Sequence, residues 1–276
     1  MQVLNCNDQF NQNIDAIESV LDKIDYRPTL ATIRVGSDEG SISYEKTLAK
    51  LCSSLGINFS NTVFDEDVKQ KDVLAQVELL NSDESINGIL VFKPLGKTLD
   101  EKYILDKINP SKDIDGASSK SLYKILSFEN YHNLPATAVA IENYLVSITE
   151  LEGKNILIIN RSNTIGIPLF HLLNNKNATC MVAHSKTVDV ESLMENADII
   201  VSGVGRSEIF RPVKLKDEAI VIDMGISCGS NGKYTGDFDR ENLKNMNIRY
   251  MPSINGIGKL TRSIIIKNVC FNIGGK

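Results

Sequence analysis

The alternation of strand-like and helix-like hydrophobic patterns constrains this chain more than any other feature of its sequence. Strand-like segments are short apolar runs, whereas helix-like segments carry apolar residues on one face at helical spacing. In the first half they alternate as helix 8–24, strand 30–35, helix 41–55, strand 57–64, helix 69–80 and strand 86–92. Strands joined by helices are typical of a parallel sheet with helices on both faces.

The pattern restarts after Gly153. Asn155–Ile159 is a nearly continuous apolar run, which is typical of a strand buried on both faces. A helix at 167–174 and further strands follow it, the strands lying at 179–183, 199–202, 219–223 and 248–250. The length of 276 residues allows two domains. We therefore predict an α/β fold of two domains with the main boundary near residue 150.

Composition excludes several classes of function. Lys and Arg number 30 and Asp and Glu 35, so the net charge of -5 gives no field that would attract nucleic acid. No apolar stretch approaches the roughly 20 residues that span a bilayer. The five cysteines are odd in number and widely spaced, which argues against a disulfide framework and a metal site. We expect a cytoplasmic protein that binds neither nucleic acid nor membrane.

A candidate nucleotide loop follows the strand at Asn155–Ile159. A turn from a parallel strand into a helix can aim backbone N–H groups and the positive end of the helix dipole at an anion. The dinucleotide pattern G-x-G-x-x-G is incomplete here, because Asn160 and Ser162 occupy the first two glycine positions and only Gly166 fits. Taken alone, the loop fits a nucleotide site and an ordinary strand–helix turn about equally well.

Charged and small residues at neighbouring strand ends favour the nucleotide site. Arg161 is suited to a ribose 2′-phosphate because its planar guanidinium matches that group, so NADP is predicted, with NAD as the alternative. Ser185 and Lys186 end the next strand, and glycines end the two after it. The candidate cofactor-binding residues are Asn160, Arg161, Ser162, Gly166, Ser185 and Ile226.

Several motifs occur in one order along both halves of the chain. They are Val35–Ser37 with Ser41 and Tyr44, Gly88–Val91 with Pro94 and Leu95, Lys112–Gly116, Arg161–Gly166, His184–Thr187, Val221–Ile226 and Gly236–Asp237. In this order they resemble the bifunctional methylenetetrahydrofolate dehydrogenase/methenyltetrahydrofolate cyclohydrolase family. The resemblance implies a folate-binding domain over 1–137, completed by about 256–276, and a Rossmann-type NAD(P) domain over 138–255, with a cleft between them. It also implies that a last helix, about 258–272, returns to the first domain, and that the protein is a cytoplasmic homodimer.

The resemblance implies two activities on tetrahydrofolate one-carbon derivatives. The first oxidises 5,10-methylenetetrahydrofolate with NADP, and the second hydrolyses the resulting 5,10-methenyl cation to 10-formyltetrahydrofolate. Tyr44 and Asp115 match the family's catalytic positions, and Asp115 would hold the pterin ring. Ser41, Tyr44, Asp115 and Thr261 are the implied substrate-binding residues.

The chain departs from the family at the hydrolytic residues. The family's lysine, four residues after the tyrosine, is Leu48 here, and its supporting glutamine is Phe92. Leucine cannot carry a proton, so we predict a dehydrogenase whose cyclohydrolase activity is lost or severely reduced. Lys46 and Lys50 lie about 200° around the helix from Leu48 and point away. Two further lysines are new relative to the family, Lys93 and Lys259, and we assign both a solvent-facing role. The alternative is that one of them reaches the cleft from another element and restores hydrolysis.

Three alternatives stay open. A fully bifunctional enzyme is the closest one. A non-catalytic or repurposed folate-binding relative is suggested by the segments 137–140 and 254–259, which differ from the family's pattern. An unrelated NAD(P) oxidoreductase is disfavoured by the segment that carries Asp115.

Overall fold

The computed structural model describes residues 1–127, 133–229 and 232–271. The chain divides into two compact units. The small-sheet unit comprises residues 11–136 and 262–276, and the large-sheet unit comprises residues 1–10 and 137–261. Within the described ranges, none of the helices combines the length and the apolar character that a bilayer crossing requires.

The elements follow the predicted alternation closely. The strands are β1 Gln2–Val3, β2 Thr29–Val35, β3 Asn58–Phe64, β4 Gly88–Val91, β5 Asn155–Ile159, β6 Thr179–Ala183, β7 Ile199–Ser202, β8 Ile220–Asp223, β9 Ser227–Cys228, β10 Tyr234–Thr235 and β11 Arg249–Met251. The helices are α1 Asn7–Leu21, α2 Glu39–Ser54, α3 Gln70–Ser82, α4 Glu101–Leu105, α5 Ser119–Ser127, α6 Ala136–Ile148, α7 Gly166–Asn174, α8 Val190–Asn196, α9 Arg240–Leu243 and α10 Ile257–Phe271.

The small-sheet unit is built on three parallel strands in the order β3-β2-β4. The central strand β2 and the strand β4 are almost wholly buried, whereas β3 forms an edge and is half-exposed. A core of aliphatic side chains from β2, β4, α3 and α4 covers one face of this sheet, and each such side chain contributes about 1.5–3 kcal/mol when fully buried. The sheet therefore gives a rigid base for the segments that follow its strands.

The large-sheet unit contains a six-stranded parallel sheet in the order β1-β11-β8-β7-β5-β6. Ile159 of β5 pairs with Ala183 of β6 and with Ser202 of β7, and Ser202 pairs with Asp223 of β8. The carboxyl ends of these four strands therefore lie level at one edge of the sheet. The predicted cofactor residues all follow these strand ends, so the sheet brings them to that edge.

The predicted fold class is confirmed: both units are α/β, and the large-sheet unit has the parallel sheet of a Rossmann-type domain. The division of the chain differs from the prediction at residues 1–10 and at residues 256–261, both of which belong to the large-sheet unit. The difference at residues 1–10 is the larger one. The physical reason is that β1 pairs with β11, a partner distant in sequence. A two-residue strand carries too little pattern to be read from sequence.

The last helix returns to the first domain, as predicted. Residues 262–276 belong to the small-sheet unit, although they follow the large sheet in sequence. Two side-chain bonds tie this helix to the unit: Asn268 donates to the carbonyl oxygen of Ile114 at 2.8 Å, and Asn13 donates to the hydroxyl of Ser263 at 2.9 Å. The predicted end of the helix at residue 272 lies outside the described residues.

Candidate functional site

Asp115 lies in the segment Lys112–Gly116, which is fixed at three points. The Lys112 ammonium donates to three carbonyl oxygens at the end of α3, 2.7–2.9 Å away. The buried Asp113 carboxylate accepts two backbone N–H groups and a hydroxyl at the start of α5, at 2.7–3.0 Å. Asn268 holds the carbonyl oxygen that precedes Asp115. Asp113 thus fixes the turn that leads into α5, and the Asp115 side chain is left for another partner.

The carboxylate of Asp115 is half-buried beside an ammonium. Lys93 Nζ lies 3.8 Å from Asp115 Oδ2, and the two side chains are 25% and 20% exposed. Burial raises the pKa of Asp115 to about 6, the nearby Asp113 charge also raises it, and the Lys93 ammonium lowers it. The predicted solvent-facing role of Lys93 is therefore wrong, because its ammonium turns toward Asp115.

Tyr44 projects from α2 toward the same cluster. Asp38 caps this helix by accepting from Ser41 N at 2.7 Å, and the Ser41 hydroxyl lies 2.8 Å from the same carboxylate oxygen. The Tyr44 ring meets Phe92 edge-on with centroids 6.1 Å apart, and the Arg262 guanidinium lies 5.5 Å from its centroid. Burial raises the pKa of the Tyr44 phenol, and the negative charge of Asp115 adds to the shift. The phenol therefore stays neutral and can donate a hydrogen bond.

The two departures from the family's hydrolytic residues are both buried. Leu48 is 0% exposed and Phe92 is 7% exposed. Lys46 and Lys50 are exposed, in agreement with their calculated angle around α2. No basic side chain of α2 therefore takes the position of the family's lysine.

Lys259 is bound inside the large-sheet unit. Its ammonium donates to Asn7 Oδ1 at 2.8 Å and lies 4.2 Å from the centroid of the Phe10 ring. Thr261 is also buried, and its hydroxyl donates to the carbonyl oxygen of Ile257 at 3.2 Å. Lys259 is half-buried with an exposed bond, so its solvent-facing role stays a prediction, while its ammonium also fastens the start of α10 to the start of α1.

The loop between β5 and α7 is closed by the side chain of Asn160. Its amide oxygen accepts the N–H groups of Ser162 and Gly166 at 2.7 and 3.1 Å, and its amide nitrogen donates to the carbonyl oxygen of Gly203 at 2.6 Å. The Ser162 hydroxyl accepts the N–H of Ile165 at 3.1 Å. The backbone donors predicted to face an anion are therefore used inside the loop, because an Asn replaces the first glycine.

Gly166 is required by this closure. A Cβ atom at Gly166 would lie 1.9 Å from the carbonyl oxygen of Asn160, so a side chain cannot be accommodated there. The sequence identified this glycine through the nucleotide pattern, and the structure shows a packing reason for it. The nucleotide pattern and the close packing of the loop therefore both require glycine at position 166.

The groups that could hold a dinucleotide lie along the edge of the large sheet. Arg161 and Ser185 are exposed and follow the paired strands β5 and β6. Val204 and Ile226 are 40% and 56% exposed and follow β7 and β8. The cation and the hydroxyl of Arg161 and Ser185, at one end of the edge, fit a phosphorylated ribose. The apolar side chains of Val204 and Ile226, at the other end, fit a nicotinamide ring. The residues present therefore fit NADP.

Two buried carboxylates fix the loops at this edge. Asp237 accepts from the Ser202 hydroxyl at 2.6 Å and from the N–H groups of Val204 and Arg206 at 2.7 and 3.0 Å. Asp223 accepts three backbone N–H groups and the hydroxyl of Tyr250 at 2.9–3.1 Å. The loops after β7 and β8 are thus both anchored by carboxylates.

Comparison with known proteins identifies a family for each half of the chain. A family model described as the catalytic domain of tetrahydrofolate dehydrogenase/cyclohydrolase matches residues 4–115. A second, described as the NAD(P)-binding domain of the same enzymes, matches residues 135–274. The chain belongs to the tetrahydrofolate dehydrogenase/cyclohydrolase family.

Individual family members match over almost the whole chain. The bifunctional protein FolD of Clostridium tetani is 38% identical over 244 residues, which cover 88% of this chain and 87% of the relative. The crystal structure of the bifunctional FolD enzyme from Campylobacter jejuni superposes with a TM-score of 0.92 at 30% identity, covering 99% and 98% of the two chains. The Trypanosoma brucei enzyme, solved with NADP and an inhibitor, has a TM-score of 0.89 at 26% identity, covering 97% and 95%.

The roles of Tyr44 and Asp115 stay predictions, and two charged residues beside them were missed as site residues. Lys93 had been assigned to the surface, and Arg262 had not been considered. The sequence carried no signal for either role, because Lys93 and Arg262 reach the cluster from segments remote from Asp115 and Tyr44 in sequence. Asp237 was seen only as part of a family motif, and its anchoring role depends on contacts up to 35 residues away.

Proposed function

We propose that this protein is an NADP-dependent 5,10-methylenetetrahydrofolate dehydrogenase in which the family's cyclohydrolase activity is lost or severely reduced. One observation carries the proposal. Tyr44 and Asp115 stand in one half-buried cluster of the small-sheet unit, while the position one helical turn beyond Tyr44 is a fully buried leucine. The groups for holding a reduced pterin are present, and the family's proton carrier is absent from α2.

The oxidation step needs no protein group that gains or loses a proton. A C–H bond of the methylene bridge breaks, and its hydrogen leaves with both electrons. When bound, the nicotinamide ring of NADP supplies the chemistry by accepting this hydride. The bridge is left as a 5,10-methenyl cation, whose charge is shared by the two adjoining nitrogens. The chain's own residues must therefore orient the substrate and exclude water. The apolar side chains of Leu48 and Phe92 are compatible with both tasks.

The residue roles follow from the geometry of each unit. Asp115, as a carboxylate, would accept two N–H bonds from the edge of the pterin ring. Tyr44, a neutral phenol packed between Phe92 and Arg262, would lie beside the bound ring. The buried hydroxyls of Ser41 and Thr261 are engaged by protein atoms and would support the substrate site.

Cofactor binding is assigned to the edge of the large sheet. Arg161 would pair with the ribose 2′-phosphate and Ser185 would add a hydroxyl. The closed loop of Asn160, Ser162 and Gly166 would set the position of Arg161, and Ile226 would cover part of the nicotinamide end. The presence of Arg161 favours NADP over NAD.

Hydrolysis requires more than positioning. Water must attack the methenyl carbon, lose a proton and open the ring, and a positioned group has to carry these protons. Leu48 cannot do so, and its partner position Phe92 offers no amide. An unsatisfied buried amide would cost about 1–3 kcal/mol, so the loss of the lysine and the loss of the glutamine are physically consistent with each other.

A fully bifunctional enzyme is the second candidate. The observation that favours it is the Lys93 ammonium beside Asp115, which places a basic group in the same unit. The relatives from Clostridium tetani and Campylobacter jejuni carry bifunctional names. The cytoplasmic location and the homodimer implied by the family stay predictions.

A two-step assay tests the proposal. Purified protein is supplied with 5,10-methylenetetrahydrofolate and either NADP or NAD, and both the reduction of the nicotinamide and the decay of the methenyl product are followed. We expect reduction that is faster with NADP, and methenyl decay at the uncatalysed rate. Absence of reduction with either cofactor would show a non-catalytic relative, and enzymatic decay of the methenyl product would show the bifunctional enzyme.

Substitutions at the two hydrolytic positions test the loss of cyclohydrolase activity directly. The double substitution Leu48→Lys with Phe92→Gln restores the family's residues, and we expect it to raise methenyl hydrolysis above the parent. Lys46→Met on the same helix is the control and leaves both activities unchanged, because its side chain is exposed.

A further inference from the structure

The Lys93–Asp115 pair is the part of the substrate cluster that family membership does not explain. The two charges are 3.8 Å apart and both are mostly shielded from water. A surface lysine gains little from such a pairing, because an exposed ion pair contributes only about 0–1 kcal/mol. Here the ammonium is held next to the one carboxylate assigned to the substrate.

The backbone around Lys93 is fixed on both sides. The N–H of Phe92 donates to the carbonyl oxygen of Ile33 at 2.9 Å, so Phe92 continues the line of β4. The carbonyl oxygen of Lys93 lies 3.1 Å from the hydroxyl of Ser41, which links it to the start of α2. Phe92 is then 7% exposed and packs on Tyr44. Lys93 therefore emerges from a rigid element beside the tyrosine.

The order of donors and acceptors on a pterin matches this pair. One edge of the reduced ring carries the 2-amino group and N3–H, both donors, followed by the 4-oxo group, an acceptor. A carboxylate beside an ammonium offers acceptors followed by a donor. Asp115 can therefore receive the two N–H groups while Lys93 donates to the oxygen next to them.

We propose that Lys93 is a substrate-positioning residue that donates to the 4-oxo group of the reduced pterin while Asp115 accepts from the adjoining N–H groups. The assignment rests on the proposed function, because it takes the pterin as the ligand of Asp115. It makes Lys93 a specificity-determining residue, since a 4-amino analogue would present a donor to the ammonium.

The pair also links substrate binding to pH. The charged and titratable groups that act on Asp115 are Lys93 after β4, Asp113 in its own segment and Tyr44 on α2, and Arg262 on α10 faces Tyr44 in turn. Burial raises the pKa of Asp115 to about 6 although Lys93 lowers it. Loss of Lys93 leaves that pKa higher still. Because the N–H groups of the pterin need the ionised carboxylate, folate binding should then fail at a higher pH than in the parent.

The experiment uses the full-length protein and three variants. Lys93→Met removes the charge at similar length, Lys93→Arg keeps it, and Lys46→Met is a matched control on the exposed face of α2. Tetrahydrofolate binding is measured by calorimetry without nicotinamide cofactor, across pH 5–9, a range of about two units either side of neutrality. The kcat and KM for 5,10-methylenetetrahydrofolate and the KM for NADP are measured in parallel.

We expect Lys93→Met to weaken tetrahydrofolate binding about tenfold or more, as for a buried acceptor left without its donor. Its KM for the folate should rise while kcat and the KM for NADP stay within about threefold, and the acid limb of folate binding should move to higher pH. Lys93→Arg should recover most of the affinity, and Lys46→Met should match the parent. The preference for a 4-oxo over a 4-amino folate analogue should fall in Lys93→Met by the same factor.

Three results would overturn the assignment. If Lys93→Met and Lys46→Met have the same affinity for tetrahydrofolate and the same pH profile of binding, Lys93 does not contact the pterin. An unchanged preference between the 4-oxo and 4-amino analogues would show the same. A fall in kcat or in methenyl hydrolysis at unchanged KM would make Lys93 a catalytic residue. If the parent protein binds tetrahydrofolate but does not reduce NADP, the proposed dehydrogenase activity is refuted. The binding measurements on Lys93→Met then still test whether Lys93 contacts the pterin.

Discussion

The substitution Asp237→Asn tests whether a buried carboxylate holds the cofactor edge of the large sheet. Asp237 is 0% exposed, and its two oxygens receive three donors. An asparagine has the same shape but replaces one oxygen by an NH₂ group, which is a donor. The new NH₂ group must then face one of the three donors that the carboxylate of Asp237 now accepts.

The least costly orientation can be derived from the contacts. If the amide oxygen takes the place of Oδ2, it keeps the bonds from the Ser202 hydroxyl and from Val204 N, which are 2.6 and 2.7 Å long. The NH₂ group then faces Arg206 N, 3.0 Å from Oδ1 in the parent. One bond to a charged acceptor is lost, worth about 1.5–3 kcal/mol, and the two retained bonds lose their charge assistance. We expect a total of about 3 kcal/mol or more.

Thermal unfolding followed by circular dichroism measures this loss. For a domain of this size, about 3 kcal/mol corresponds to a fall in Tm of roughly 6–12 °C. The KM for NADP should rise as well, because Val204 and Arg206 lie in the loop at the proposed nicotinamide end. The KM for the folate should stay unchanged, since Asp237 belongs to the other unit.

Asp239→Asn is the matched control. Asp239 caps α9 by accepting from Glu241 N at 3.0 Å, and asparagine caps a helix about as well as aspartate does. Its ion pair with Arg211 involves an exposed guanidinium and contributes little. A Tm for Asp237→Asn within about 2 °C of that for Asp239→Asn would refute the anchoring role, because the expected difference is several times larger.

Two further predictions concern the cofactor edge. Arg161→Ala should lower the preference for NADP over NAD by about tenfold or more, since a charge-assisted bond to the 2′-phosphate is lost, and kcat/KM with each cofactor measures it; an unchanged ratio would assign the 2′-phosphate elsewhere. Gly166→Ala places a Cβ atom 1.9 Å from the Asn160 carbonyl oxygen, so we expect NADP binding to be abolished while tetrahydrofolate binding persists, both by calorimetry; retained NADP binding would contradict the closed loop.

Much of the fold could be predicted from local pattern. The apolar run of β5 and the helical spacing of α2 and α3 depend on residues within one element, so the sequence identified them to within a few positions. The parallel arrangement followed because strands that alternate with helices have few other ways to pair. The short strands β1, β9 and β10 were not predicted, because two residues carry no periodicity.

The candidate site divides in the same way. Family motifs identified Tyr44 and Asp115, and the departures at Leu48 and Phe92 were visible without coordinates. Lys93 and Arg262 were not, since their side chains reach Tyr44 and Asp115 from β4 and α10, which are remote from them in sequence.

The sequence by itself determined the fold class, the family motifs and the apolar residues at positions 48 and 92, because each is a property of residue type at a given position. Only the tertiary structure decided which charges meet. Asp113 turned out to fix the turn before α5, Lys93 to face Asp115, and Lys259 to bind Asn7 at the start of α1. The physical reason is that electrostatic partners are set by distance and burial in space, whereas periodicity reports only which face of an element is buried.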